Sequence, residues 1–169
     1  LIVDDLSNAS IDVLEGIETA SGIRPIFVKL NLQNSTAVAE LFQQYSITGI
    51  IHFAAFKAVG ESVQKPVAYY QNNLGSMLNL LTEIEKVATP IPLIFSSSCT
   101  VYGEANELPI TENTPVQAAM SPYGNTNQIG EEILMDTVNA IKGFRVFRKL
   151  QRVELLDRKR LYDFRDRRK

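Results

Sequence analysis

Apolar residues come in short runs separated by longer stretches of helical period. "LIV" at 1–3, "PIFVKL" at 25–30, "GIIHFAA" at 49–55 and "PLIFSSS" at 92–98 are brief and rich in β-branched or aromatic residues. They are apolar at successive positions, which predicts parallel strands buried on both faces. Between them the spacing predicts four helices. "SIDVLEGIETASG" (10–22) carries a serine or aspartate cap and a glycine stop. "NSTAVAELFQQYS" (34–46) places Val38, Leu41, Phe42 and Tyr45 on one face, with Asn34 or Ser35 as its cap. "PVAYYQNNLGSMLNLLTEIEKVA" (66–88) opens on Pro66 and stops before Pro90, and "PYGNTNQIGEEILMDTVNAIK" (122–142) opens on Pro122 with Gly143 beyond its end. Strand and helix alternating at this spacing predict an α/β fold, a doubly wound parallel sheet with helices on both faces. The long polar stretch 103–122 follows a strand end, where such loops are usually functional or disordered.

Open parallel sheets bind ligands beyond the carboxyl ends of their strands. Those ends read Asp4-Asp5, Asn31-Leu32, Ala54-Ala55-Phe56-Lys57 and Ser96-Ser97-Ser98. An acid in the first of these places suits the adenosine ribose of a dinucleotide, with a glycine-rich phosphate loop about 20 residues before it. Only three residues precede Asp4, and none of the nine glycines forms a G-x-G-x-x-G pattern. The expectation is therefore a Rossmann fold lacking the first strand and the glycine-rich loop, in a chain that is a fragment.

Composition changes this picture little. The 169 residues are 45% hydrophobic and 21% charged, as in an ordinary globular domain. No apolar run approaches the ~18 residues of a membrane span. The single cysteine, Cys99, forbids an internal disulfide and points to the cytoplasm. Charge is more telling. Residues 1–142 hold 6 Lys+Arg against 15 Asp+Glu, a net −9, whereas 143–169 hold 11 against 4, a net +7. That shift marks a basic tail, and Leu150, Val153, Leu156 and Leu161 fall roughly on one side of it. Three readings of the tail are open: an arm for an anionic surface or nucleic acid, a solvated amphipathic helix, or out-of-frame translation. Without aromatic platforms or a binding motif, nucleic acid is the least favoured, and the abrupt change of character near Gly143 favours out-of-frame translation.

"HFAAFKAVGESVQKPVAYYQNN" (52–73), "IFSSSCTVYGE" (94–104), "LPITENTP" (108–115) and "SPYGNT" (121–126), in this order, resemble the UDP-glucose 4-epimerase family. That family lies in the extended short-chain dehydrogenase/reductase superfamily. The resemblance covers about residues 1–142 and divides the chain into 1–142, a partial NAD-binding domain, and 143–169, the tail. It implies an isomerase of galactose metabolism. NAD is its cofactor, a UDP-sugar is its substrate, and dimers form through a helix bundle. It also implies the site. Tyr123 would take the sugar 4-hydroxyl proton as the 4-hydride leaves for NAD+, and Ser98 would share the substrate hydrogen bond. Lys57 would contact the nicotinamide side, Asn73 the phosphate and ribose region, and Asp4 and Asp5 the adenosine ribose. Phe53, Ala54 and Ala55 would line the cofactor channel.

Two departures bear on chemistry. The family's lysine, one helical turn after the tyrosine, falls on Asn127. That lysine and the oxidised nicotinamide favour the phenolate, and a tyrosine at its reference pKa of ~10 is only ~0.1% ionised at pH 7. Asparagine can still hydrogen-bond a ribose but brings no charge. An adenine-side Gly-Asp falls on Leu30-Asn31. The resemblance thus implies UDP-glucose/UDP-galactose interconversion that is impaired or lost in this chain. The alternative is a non-catalytic Rossmann remnant or interaction module. A nucleotide-sugar 4,6-dehydratase is disfavoured, because its Asp-Glu pair falls on Cys99 and Thr100. His52 and Cys99 read as buried core residues, and Asp4 and Asp5 read equally as cap-region residues. One histidine and one cysteine predict no metal site of ordinary ligand type.

Overall fold

A computed structural model describes residues 1–105, 109–111, 113–150 and 162–163. Its first unit is β1 (Ile2–Asp4), α1 (Val13–Ser21), β2 (Phe27–Lys29) and α2 (Ser35–Gln44). Then come β3 (Ile50–His52), α3 (Val59–Gln64), α4 (Pro66–Lys86), β4 (Leu93–Ser97) and a 3-10 turn at Cys99–Tyr102. α5 (Pro122–Ala140), β5 (Val146–Leu150) and β6 (Tyr162–Asp163) complete the described chain.

Local chemistry sets the boundaries. The Asn34 side chain accepts from Ala37 N at 3.1 Å and starts α2. Ser121 accepts from Gly124 N at 3.1 Å and starts α5, with Pro122 in its first turn. Gly22 ends α1 at φ 73°, its N–H reaching Glu18 O. The start of α1 differs from expectation: Asp12 stands at the cap position but makes no side-chain capping bond. The apolar pattern does not predict α3, which at six residues is too short to show a period.

The strands do not form one sheet. β1 and β2 pair in parallel as a two-stranded sheet, while β3, β4, β5 and β6 form a second sheet in that order. β3–β4 and β4–β5 are parallel and β5–β6 is antiparallel. The expectation of a single sheet, buried on both faces, therefore fails at the seam between β1 and β3. All of β1 is only half-buried, and Ile51 of β3 is 59% exposed. A strand needs two ladder neighbours and two covering layers to be buried throughout, and β1 and β3 each have one ladder neighbour. β5 begins four residues beyond 142, and its Val146 is buried, so the second sheet runs into the segment that charge sets apart as a tail. Most of that tail, with Val153, Leu156 and Leu161, lies outside the described residues.

The core lies in the second sheet. Leu93 and Phe95 of β4 and Val146 of β5 pack with Met77, Leu81 and Ile84 of α4 and with Leu134 of α5. α2 packs on α4, and two hydrogen bonds tie the first sheet's loops to α4: Gln33 Nε2 to Asn72 Oδ1 (3.1 Å) and Asn79 Nδ2 to Leu32 O (2.8 Å).

Candidate functional site

The carboxyl ends of β1, β2 and β3 open into one cleft. Asp4, Asp5, Asn8, Asn31, Ala54 and Ala55 are among its lining residues. The turn after β1 is strained: Leu6 has φ 61°, a left-handed conformation that costs a branched residue roughly 1–2 kcal/mol. Two carboxylates hold it there. Asp4 Oδ1 accepts from Leu6 N at 2.7 Å and Asp5 Oδ1 from Ser7 N at 2.9 Å. Each aspartate thus shapes its own turn and also lines the cleft.

A second pocket lies over β3 and β4. It is lined by His52, Phe53, Ala54, Ala55, Asn73 and Asn127, with Phe95, Ser96 and Thr126 among the others. Asn73 is buried and its amide is already engaged. Its Oδ1 accepts from Phe56 N (2.8 Å) and Asn72 Nδ2 (3.0 Å); its Nδ2 donates to Phe56 O and Thr126 Oγ1, both at 3.0 Å. The amide therefore clamps the loop after β3 to α5. Thr126 donates onward to Tyr123 O at 2.8 Å.

Asn127 joins the same carbonyl. Its Nδ2 donates to Tyr123 O at 3.0 Å, within its own helix. Tyr123 and Ser98 are both buried, Tyr123 in the first turn of α5 and Ser98 capping the 3-10 turn, where its hydroxyl accepts from Thr100 N. The 3-10 turn lies against the start of α5 closely enough that a side chain at Gly124 would meet Thr100 Cβ at 3.3 Å. The Thr100 hydroxyl oxygen is buried without a partner among the described residues. Lys57 is exposed on the loop after β3. Cys99 is exposed, not buried as expected, because it begins the 3-10 turn after β4 has ended. Among the described residues no cluster of metal-ligating side chains occurs.

His52 is a core residue, as its position inside a strand suggests. Burial beside Phe95, whose ring stacks 6.1 Å away, lowers its pKa to about 4. The loop between β3 and α4 is fixed by Tyr69. Its hydroxyl accepts from Ala58 N and shares its proton between Ala58 O and Glu61 Oε2. Lys65, hydrogen-bonded to Glu61, is the main reason that carboxyl titrates below its usual range.

Sequence reasoning missed a second set of residues. Gln128 closes the base of the 103–121 loop by donating to Val101 O (2.7 Å) and Gln117 O and accepting from Ala119 N. There Gly103 has φ 56°, and a Cβ on it would lie 2.5 Å from Ala118 O. Buried Ser97 donates to buried Glu131 at 2.6 Å. One signal was available: Asn127, Glu131 and Leu134 share the spacing of a buried helix face.

Comparison with known proteins agrees with this fold. A family model described as GDP-mannose 4,6 dehydratase matches residues 2–156. The chain is 42% identical over 136 residues to a UDP-glucose 4-epimerase of Dictyostelium discoideum, covering 80% of this chain and 39% of that protein. To the Erwinia amylovora enzyme of the same name it is 39% identical over 145 residues, 86% of this chain and 43% of that one. Its fold superposes on Bifidobacterium longum UDP-glucose 4-epimerase, solved with NAD+ and UDP, with a TM-score of 0.81 and 40% identity. That match covers 85% of this chain and 43% of the other. The Campylobacter jejuni UDP-Glc/GlcNAc 4-epimerase gives a TM-score of 0.78 at 30% identity, over 88% of this chain and 44% of that one. The chain spans about two fifths of the length of these relatives. It belongs to the UDP-glucose 4-epimerase family of NAD-dependent extended short-chain dehydrogenases/reductases.

Proposed function

We propose that this chain is the dinucleotide-binding part of a UDP-hexose 4-epimerase, and that its epimerase chemistry is impaired. In this reading the cleft at Asp4 and Asp5 takes the adenosine of NAD, since carboxylates at a strand end accept from ribose hydroxyls. The pocket at Phe53, Ala54, Ala55 and Asn127 takes the nicotinamide half, with Lys57 at its approach. Bound NAD would supply the hydride acceptor. Tyr123 would move the 4-hydroxyl proton of the UDP-sugar, and Ser98 would share the hydrogen bond to that oxygen. Asn73 would act by holding the loop after β3, its amide being engaged with Phe56 and Thr126.

The observation that carries the impairment is the Asn127 side chain. It donates to Tyr123 O within α5 and brings no positive charge. The adenosine side fits the dinucleotide; the nicotinamide side lacks the cation that favours an ionised tyrosine. A 4,6-dehydratase reading, which the family model's description invites, is disfavoured at Cys99 and Thr100, neither of which is an acid.

NAD+ at 100 times its dissociation constant stabilises a domain by ~2.7 kcal/mol, a rise of roughly 5–10 °C in Tm at this size. An upward shift of that size is expected; an unmoved cooperative melt would leave family ancestry without cofactor binding. In a coupled UDP-galactose assay, wild type is expected to turn over little or not at all. Asn127→Lys is expected to gain on the order of 10- to 1,000-fold, the range a neighbouring cation gives an ionising group. Full turnover by the wild type, abolished in Tyr123→Phe, would sink the impairment.

A further inference from the structure

A helix lying on a sheet is held mainly by apolar contacts, which have no preferred direction and tolerate small slides. α5 meets β4 in this way at Gly130, where a side chain would come within 3.2 Å of Phe95 and 3.5 Å of Met77. Something else has to fix its register. Gln128 bonds the 103–121 loop and the 3-10 turn, and Thr126 and Asn125 bond Asn73 and Tyr70 of α4; none of these reaches β4. Among the described residues, a directional bond from α5 to β4 itself joins Glu131 Oε1 to the Ser97 hydroxyl, 2.6 Å long, between side chains 5% and 1% exposed.

Packing alone gives no reason for this pair. A buried carboxylate is costly, and an apolar residue beside Leu134 would suit the core better. Its location is more informative. Ser97 is the last residue of β4 and adjoins Ser98. Glu131 lies eight residues, about 12 Å along the axis, from Tyr123 on the same helix. The bond therefore couples the strand end that carries Ser98 to the helix that carries Tyr123.

We propose that Glu131 is a positioning residue: by accepting the Ser97 hydroxyl it sets the register of α5 on β4, and with it the placement of Tyr123 relative to Ser98. That these two are the reacting pair rests on the function proposed above; the register does not.

The exposed Cys99, the only cysteine, directly follows Ser98 and reports the strand end without cofactor or turnover. The test compares its rate of modification by a disulfide reagent in wild type, Glu131→Gln and the double variant Ser97→Ala/Glu131→Met, with a thermal melt of each. Glutamine in place of Glu131 keeps the acceptor and loses the charge. Glu131→Gln is therefore expected to react within about twofold of wild type, separating geometry from charge. The double variant removes the donor and the acceptor of this bond together, so its melt should stay cooperative. Its Cys99 should react roughly fivefold faster, the effect of losing one ordinary hydrogen bond. A double variant that reacts like wild type would overturn the proposal. So would one without a cooperative melt, since the pair would then be a folding element. Glu131→Gln reacting as fast as the double variant would also overturn it, because charge and not the bond would be the cause. None of these outcomes depends on NAD binding or epimerase activity.

Discussion

The two sheets start from similar runs of apolar residues and end in different environments. In the four-stranded sheet, β4 alternates fully buried with half-buried positions, and its neighbours supply a continuous core from Met77 to Val146. In the two-stranded sheet no strand residue is buried, and its unit contributes Leu14, Val38 and Leu41 from its helices. The difference follows from neighbours. β4 has a ladder on each edge and α4 and α5 packed against it, whereas β1 has a single ladder partner. The site divides along the same line. The carboxylates of the proposed adenosine cleft stand on the lightly packed unit, with Ala54 and Ala55 lining it from the other, and Tyr123, Ser98 and Glu131 stand on the tightly packed one.

The strongest way to break this comparison is to truncate an apolar side chain in each sheet. Leu93→Ala, at a fully buried position with both ladders formed, should cost about 2–5 kcal/mol. Val28→Ala on half-buried β2 should cost well under half of that, since less burial is lost. Urea melts of the two variants decide it. Equal losses would mean that β1–β2 is as well packed as the main core.

Acid should act on the second sheet through His52. Its folded pKa of about 4 lies below the unfolded value of 6.5, so folding favours the neutral ring. That contribution is fully present above pH 6.5 and is lost as pH falls from 6.5 towards 4, on the order of 3 kcal/mol in all. The urea midpoint of His52→Leu should therefore fall less steeply over that window than that of wild type. Parallel slopes would remove His52 as the cause.

The smallest effect belongs to the first unit. Asn34→Ala should cost about 1 kcal/mol through loss of the bond to Ala37 N. If the two units melt as one, the change appears in the global midpoint. If β1–β2 opens separately, it appears only as faster amide exchange in α2.

Much of the fold is legible in the amino-acid sequence alone. Strand and helix positions follow from apolar period, and Asn34, Gly22 and Pro122 mark boundaries by chemistry internal to a few residues. The motifs around Tyr123 and Ser98 carry the family resemblance. Three things are decided only in three dimensions. The seam between β1 and β3 depends on which strands become neighbours, which an apolar run does not encode. Cys99 is exposed because the ladder stops at Ser97, a boundary that composition cannot place. The commitments of polar side chains are hidden for the same reason. Asn73 bonds Phe56 and Thr126 across 17 and 53 residues, and Glu131 bonds Ser97 across 34. Local sequence fixes what a backbone segment can do, because capping and period act within a turn or two. What a buried amide or carboxylate does depends on the partner that folding brings to it.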